Sequence, residues 1–192
     1  MIILPLALGL MLAFLAWRFG RSGLARLATL RLRGGVLALL ACLAQLTSVL
    51  THQRRLELLL VSAALLAGFC WLNRRQAGIT LATLGITLNM AVMAANGGTM
   101  PISPEALARM SDIRVESGTA LRFSKDIVLT DGEAALAWLG DRLSLPGPLA
   151  RLAVWSIGDV LLLVGVGRLL WHTMKGPAHD DEHALRGAAP LS

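Results

Sequence analysis

Five stretches of this chain, residues 2–17, 35–50, 56–72, 79–96 and 152–171, are apolar, poor in charge and close to the length that crosses a bilayer. A spanning helix needs about 20 mostly apolar residues, because the hydrocarbon core is about 30 Å thick. The expected fold is therefore all-α: an integral membrane helical bundle of about five transmembrane helices. One sizeable piece remains outside the bilayer, the 97–151 segment, which forms a small extracytoplasmic cap between helices four and five.

Composition agrees. Apolar residues make up 55% of the chain and charged residues only 16%, against about 25% in soluble domains. The competing reading is a soluble helical protein with greasy core helices, but apolar runs this long are rare in soluble folds. With 192 residues the chain forms one transmembrane bundle domain, 1–174, and leaves 175–192 as a disordered cytoplasmic tail.

The formal charge of +6 is a topology signal before it is a binding signal. Arg18, Arg21, Arg26, Arg31 and Arg33 lie between the first and second spans, and Arg74 and Arg75 between the third and fourth. Positive residues in short loops stay on the cytoplasmic side. The intervening turn holds only Arg54 and Arg55, so seven arginines count inside against two outside. The amino terminus is then outside, the carboxyl terminus inside and the cap outside. The basic 18–33 loop also faces anionic lipid headgroups. Nucleic acid is not an expected partner, since no aromatic platform accompanies the arginines.

Tryptophan favours the headgroup level. Trp17, Trp71 and Trp171 fall at the inner ends of spans one, three and five, and Trp155 near the outer end of span five. The first span has its arginines after the apolar run rather than before it, so it reads as a retained anchor and not a cleaved signal. Cys42 and Cys70 have no close partner or metal-ligand spacing, and read as small buried hydrophobes.

Within the cap, Ser103-Pro104-Glu105 spells a helix start. Asp131 followed by residues 133–139 reads as a second short helix stopped by Gly140. The turn Asn96-Gly97-Gly98-Thr99-Met100-Pro101 closes span four. Its glycines permit positive φ and Pro101 ends the helix, but its spacing fits neither a phosphate loop nor a dinucleotide fingerprint.

Polar residues inside the membrane are the best functional lead. Asp159 is the one carboxylate expected well inside a span, where a charge costs about 2.5–3.5 kcal/mol and demands a partner. Counted from the outer boundaries, Asp159, Asn89 and Gln45 lie at a common depth of roughly 9–12 Å. With Ser156 they form a candidate polar cluster. One reading is an interhelical hydrogen-bond clamp, worth about 1 kcal/mol or less per contact. The other is a polar cavity that handles a proton, a headgroup or a small substrate. His179 and His183 are four apart, but in a charged tail they read as a solvated run, and neither a metal site nor a cofactor is expected.

Leu88-Asn89, then 95–101, then Leu139-Gly140-Asp141, then Ser156-Ile157-Gly158-Asp159-Val160 together resemble a bacterial membrane-protein family catalogued as domain of unknown function 5317. The likeness runs from the first span to about Leu170 and includes the Arg74-Arg75 turn. Lys125, after Ser124, departs from the His expected in many relatives. The resemblance implies a small multi-pass membrane protein and brings no activity, substrate or catalytic residue.

Three roles follow from these residues. The leading one is a non-catalytic subunit or scaffold of a membrane assembly, packing on other membrane proteins or on itself, because five spans without inverted repeats make an unusual transporter. The alternative is a carrier or channel component with Asp159 as proton or substrate site. An outer-leaflet membrane enzyme is weaker, since no nucleophile and base pair up.

Overall fold

The computed structural model describes residues 3–51, 55–110, 115–121, 124–144 and 154–176. His52, Arg54, Arg151 and the 177–192 tail, with His179 and His183, lie outside the described residues.

The chain is mostly helical. The six helices among the described residues are α1 (Ile3–Ala28), α2 (Gly35–Thr51), α3 (Arg55–Asn73), α4 (Ile79–Ala95), α5 (Pro104–Met110) and α6 (Ile157–Lys175). Two of them, α3 and α6, are long and apolar enough to cross a membrane; α2 and α4 are shorter apolar helices of 17 residues. The expectation of an all-α fold needs correction, because three short strands lie in the cap segment and a fourth follows just after it. β1 (Met100–Ile102) pairs in parallel with β2 (Asp126–Val128), and β3 (Leu143–Ser144) pairs antiparallel with β4 (Val154–Trp155). The segment has few long apolar runs, and the pairs Ile127-Val128 (both β-branched) and Val154-Trp155 (β-branched and aromatic) suit a ladder.

The long helices do not close into a bundle. α2 packs on α3, α3 on α4, α4 on α6 and α6 on α1, and no other pair among them makes an extended contact. The result is a row in the order α2, α3, α4, α6, α1. Its tightest seam is α4 against α6, antiparallel and lined by glycine. A Cβ placed on Gly85 would strike the Gly158 carbonyl oxygen and the Leu162 nitrogen, and one on Gly165 would strike the Ala82 backbone. Glycine at these points lets two backbones approach without intervening side chains, which maximises dispersion contact between helices.

At one end of the helices, Cys70, Ile79 and Leu169 form a buried cluster, with Leu30 and Leu32 packed against it. α1 is broken at Gly20, whose φ of 61° only glycine adopts at little cost, so the expected 18–33 loop is partly helical. Its Arg26 donates to the carbonyl oxygens of Met174 (3.2 Å) and Lys175 (2.8 Å). That arginine caps the last turn of α6, where carbonyls lack helical donors. Cys70 is buried as expected, but Cys42 is exposed.

At the other end, Leu59, Val92, Met93, Met100 and Leu139 join α3 and α4 to the cap. The cap has a small core of its own in Ile102, Ala106, Leu107 and Val128. The helix start at Ser103 forms as read, its Oγ accepting from Ala106 N–H at 3.1 Å. The helix expected over 133–139 does not form; only a 3-10 turn, Ala137–Leu139, is present. Asn96 explains this. Its Oδ1 accepts from Ala135 N–H (3.0 Å) and its Nδ2 donates to Ala135 O (2.8 Å), so the backbone groups a helix would use are already taken. Glu133 instead gathers the hydroxyls of Ser117 and Thr130 and the Thr130 N–H, which hold its carboxyl down at about 2. With a folded value below the unfolded one, this contribution is present above the ordinary Glu range and is lost as pH falls through about 2.

The glycine seam is testable. Gly85→Leu should cost at least about 2 kcal/mol, read as a lowered melting temperature in detergent, because the colliding atoms are backbone and cannot rotate away. Gly9→Ala is the control, since nothing lies within 4 Å of its Cβ position, and it should leave stability unchanged or slightly raised. Equal effects at the two positions would refute the seam.

Candidate functional site

The start of α6 differs from the sequence expectation, and the difference changes what Asp159 does. Residues 154 and 155 are strand, Ser156 is extended, and the helix begins at Ile157. Asp159 therefore sits in the first turn of α6, not two turns inside a span. It forms a capping box with Ser156: Asp159 N–H donates to Ser156 Oγ (3.0 Å), and Ser156 N–H donates to Asp159 Oδ2 (3.1 Å). A carboxylate here satisfies an orphan N–H and faces the positive end of the helix dipole.

The seam brings Asn89 of α4 onto the same box. Its Nδ2 donates to Asp159 Oδ1 (2.8 Å), and its Oδ1 accepts from the Ser156 hydroxyl (2.9 Å). Gly158 makes this approach possible, since a Cβ there would overlap the Asn89 amide. Three of the four residues expected to cluster are thus joined in one closed ring. Ser156 is fully buried; Asn89 and Asp159 are half-buried.

Gln45 belongs to a neighbouring set. It lies on α2, where its Nε2 donates to the Ser62 hydroxyl of α3. Its Oε1 accepts from the Lys125 ammonium at 2.7 Å. Lys125 comes from the cap, and its charge is felt by Asp159 on α6 as well as by Asp126 and Asp141. Burial pushes the Lys125 ammonium down, partly offset by Asp126, Asp159 and Asp141. Burial likewise pushes Asp126 up, against the Ser124 hydroxyl and Lys125. Asp141 stands well above the carboxylate range, first through burial and then through the charges of Asp126 and Asp159.

The outer turn does different work from the ring. Gly97 and Gly98 have φ of 65° and 87°. Gly98 N–H closes α4 on Met93 O at 2.7 Å, and its Cα lies against the Arg55-Leu56 backbone at the start of α3. Pro101 O accepts from Asp141 N–H (2.9 Å), which carries Asp141 to the junction. Asn96, Gly97, Gly98 and Pro101 therefore position the cap and do not face the ring.

Sequence reasoning missed Lys125, Asp126, Asp141 and Ser62. Asp141 was visible as the end of the Leu139-Gly140-Asp141 motif. Lys125 stood out only as a departure from the family's His, and Lys125-Asp126, a charged pair at the start of β2, carried a further signal only if the cap was known to fold back on the helices. Among the described residues, no three His, Cys, Asp or Glu side chains are grouped to hold a metal ion.

A mostly helical chain, with two helices suited to crossing a membrane and a capped polar junction at one end, is the class these features define. The particular family follows from the sequence match: the model of the family of unknown function DUF5317 matches residues 29–171, and the chain belongs to that family. No curated protein and no solved structure matches it.

Asp159 separates two kinds of contact. Asp159→Asn keeps an oxygen for Asn89 but turns an NH2 toward Ser156 N–H, so about 1 kcal/mol should be lost. Asp159→Leu removes both acceptors and leaves the Asn89 amide unpaired, for a loss of about 2–4 kcal/mol. Thermal unfolding in detergent checks the order; an Asn variant as damaged as Leu would contradict the ring geometry.

Proposed function

We propose that this chain is a five-span integral membrane protein of the bacterial cytoplasmic membrane, and that it serves as a non-catalytic subunit or scaffold of a membrane assembly. One observation carries the role: the ring of Asp159, Asn89 and Ser156 is closed on itself. Both Asp159 oxygens, both ends of the Asn89 amide and the Ser156 hydroxyl are engaged within the chain, which is the pattern of a clamp.

The membrane reading is supported by the apolar exterior of the row. Val36, Leu39, Leu40, Leu43, Leu46 and Leu50 are exposed along α2, which ends the row and has one helix neighbour. Such a face suits lipid or another membrane protein. Trp17 is 80% exposed, and Trp71 lies under the Arg74 guanidinium at 4.0 Å, an arrangement that suits an interfacial belt. Arg18, Arg21, Arg31 and Arg33 remain exposed and suit anionic headgroups. The carrier alternative draws on a separate observation, the Lys125 ammonium of the cap donating to Gln45 on α2.

Orientation and role are tested together. In a background lacking Cys42 and Cys70, an impermeant thiol reagent added to intact cells should label Thr119→Cys in the cap and miss Gln76→Cys in the turn before α4. Mild-detergent extraction should recover the chain as an oligomer or with a second membrane protein in fixed ratio. Equal labelling at both positions would sink the orientation. A stable monomer that alone drives proton-coupled uptake in proteoliposomes would replace the subunit with the carrier.

A further inference from the structure

The turn that stands where a helix was expected over 133–139 leaves two apolar side chains on the outside of the protein. Leu136 is 42% exposed and Trp138 62% exposed, whereas Leu139 beside them is buried in the cluster of Leu59, Val92 and Met93. Leu136 is also the one residue other than glycine with a positive φ among the described residues, at 54°. A side chain with a Cβ is crowded in that conformation and keeps it only where the surroundings impose it. Burial within the chain offsets neither the strain at Leu136 nor the exposed ring of Trp138.

The level of this turn is fixed on both sides. Ala135 is bonded through its N–H and its carbonyl to Asn96, the residue that ends α4. Leu139 packs with Val92 and Met93, one turn earlier in the same helix. Residues 136–138 therefore lie beside the last turn of α4, not above it. α4 has 17 residues, about 25 Å at 1.5 Å each, against a hydrocarbon core of about 30 Å. Arg74 and Arg75, in the turn before α4, belong at the headgroups, so in a bilayer the shortfall of about 5 Å falls at the Asn96 end. That end needs apolar surface beyond what the helix itself provides, and Leu136 and Trp138 are placed to supply it.

We propose that the 136–138 turn is an interfacial anchor, which seats the cap in the lipid leaflet on its own side of the membrane. Leu136 enters the upper acyl region, and the Trp138 ring lies at the boundary with its N–H toward the headgroups. Lipid is the occupant that fits the size of the patch. Two side chains offer a few hundred Å² at most, well short of the roughly 800 Å² per partner of a stable protein interface. The anchor also gives the strain at Leu136 a purpose, since the left-handed conformation keeps that side chain out of the cap and free for lipid. The inference rests on the membrane reading of α4 but not on the subunit role.

Depth-dependent fluorescence quenching in lipid nanodiscs tests it. In a chain lacking Cys42 and Cys70, one fluorophore is attached in turn at Trp138→Cys, Leu136→Cys, Ala64→Cys and Thr119→Cys. Ala64, exposed in the middle of α3, is the reference for the bilayer centre, and Thr119, exposed elsewhere in the cap, the reference for water. The lipids carry bromine either near the glycerol end or near the end of the acyl chain. Labels at 136 and 138 should lose more fluorescence to the shallow bromines than to the deep ones, the label at 64 should show the reverse order, and the label at 119 should lose none. If Trp138→Cys does not fold, Leu136→Cys reads the same level. Labels at 136 and 138 that escape quenching while the label at 64 is quenched would overturn the anchor and leave the membrane reading standing. Protection of those labels from aqueous iodide would then assign the turn to a second copy of the chain. A label at 64 that also escapes both bromines would remove the membrane reading itself, and the anchor with it.

Discussion

The close contact of α4 with α6 is the constraint on which the rest depends. Gly78, Gly85, Gly158 and Gly165 bring two backbones to a distance that no side chain would permit. Only at that separation does Asn89, a short side chain, reach across to the first turn of α6. The capping box and the interhelical clamp are thus one object. Helix-start chemistry that would ordinarily stay local becomes a tertiary contact, and α6 cannot slide along α4 without breaking its own N-terminus. Hydrogen bonds and dispersion are coupled here by geometry.

Much of the helical part was legible because its signals are local. Apolar runs and the caps and stops around them put α2, α3 and α4 within a residue or two of their observed ends. The start of α6 was not, because apolar residues 154 and 155 look the same whether they continue a helix or pair as strand with Leu143 and Ser144. That pairing is non-local, and hydropathy cannot register it. The same limit applies at 133–139, where good local helix propensity yields to the Asn96 amide, a group some 40 residues away. Asn89, Ser156 and Asp159 were found together because a buried carboxylate requires partners. Their depth was misjudged, since it was measured from a boundary that strand pairing moves.

The cap explains why the remaining polar residues escaped a reading along the chain. Lys125 and Asp126 resemble any solvated charge pair until the parallel β1–β2 ladder turns them back onto the helices. Asp141 arrives through the Pro101 carbonyl, so the turn that ends α4 also delivers an acid to the junction. Cap and row share one polar layer, with the Lys125–Gln45 bond crossing from one to the other.

Two asparagines hold distant parts of the chain together in the same way. Asn73 at the end of α3 accepts from Arg33 N–H and donates to Arg33 O, both at 2.8 Å, just as Asn96 does with Ala135. Each also donates to a carbonyl one turn back in its own helix, Phe69 or Val92. The amide behaves as a spare peptide unit, continuing a backbone pairing after the helix has stopped. Such a contact is blind to the identity of the partner's side chain. Positions 33 and 135 are therefore free to drift in sequence, proline apart, while the fold keeps its long-range connections. Even aspartate, equal in size, would break the pairing at positions 73 and 96, because it accepts where the amide must donate.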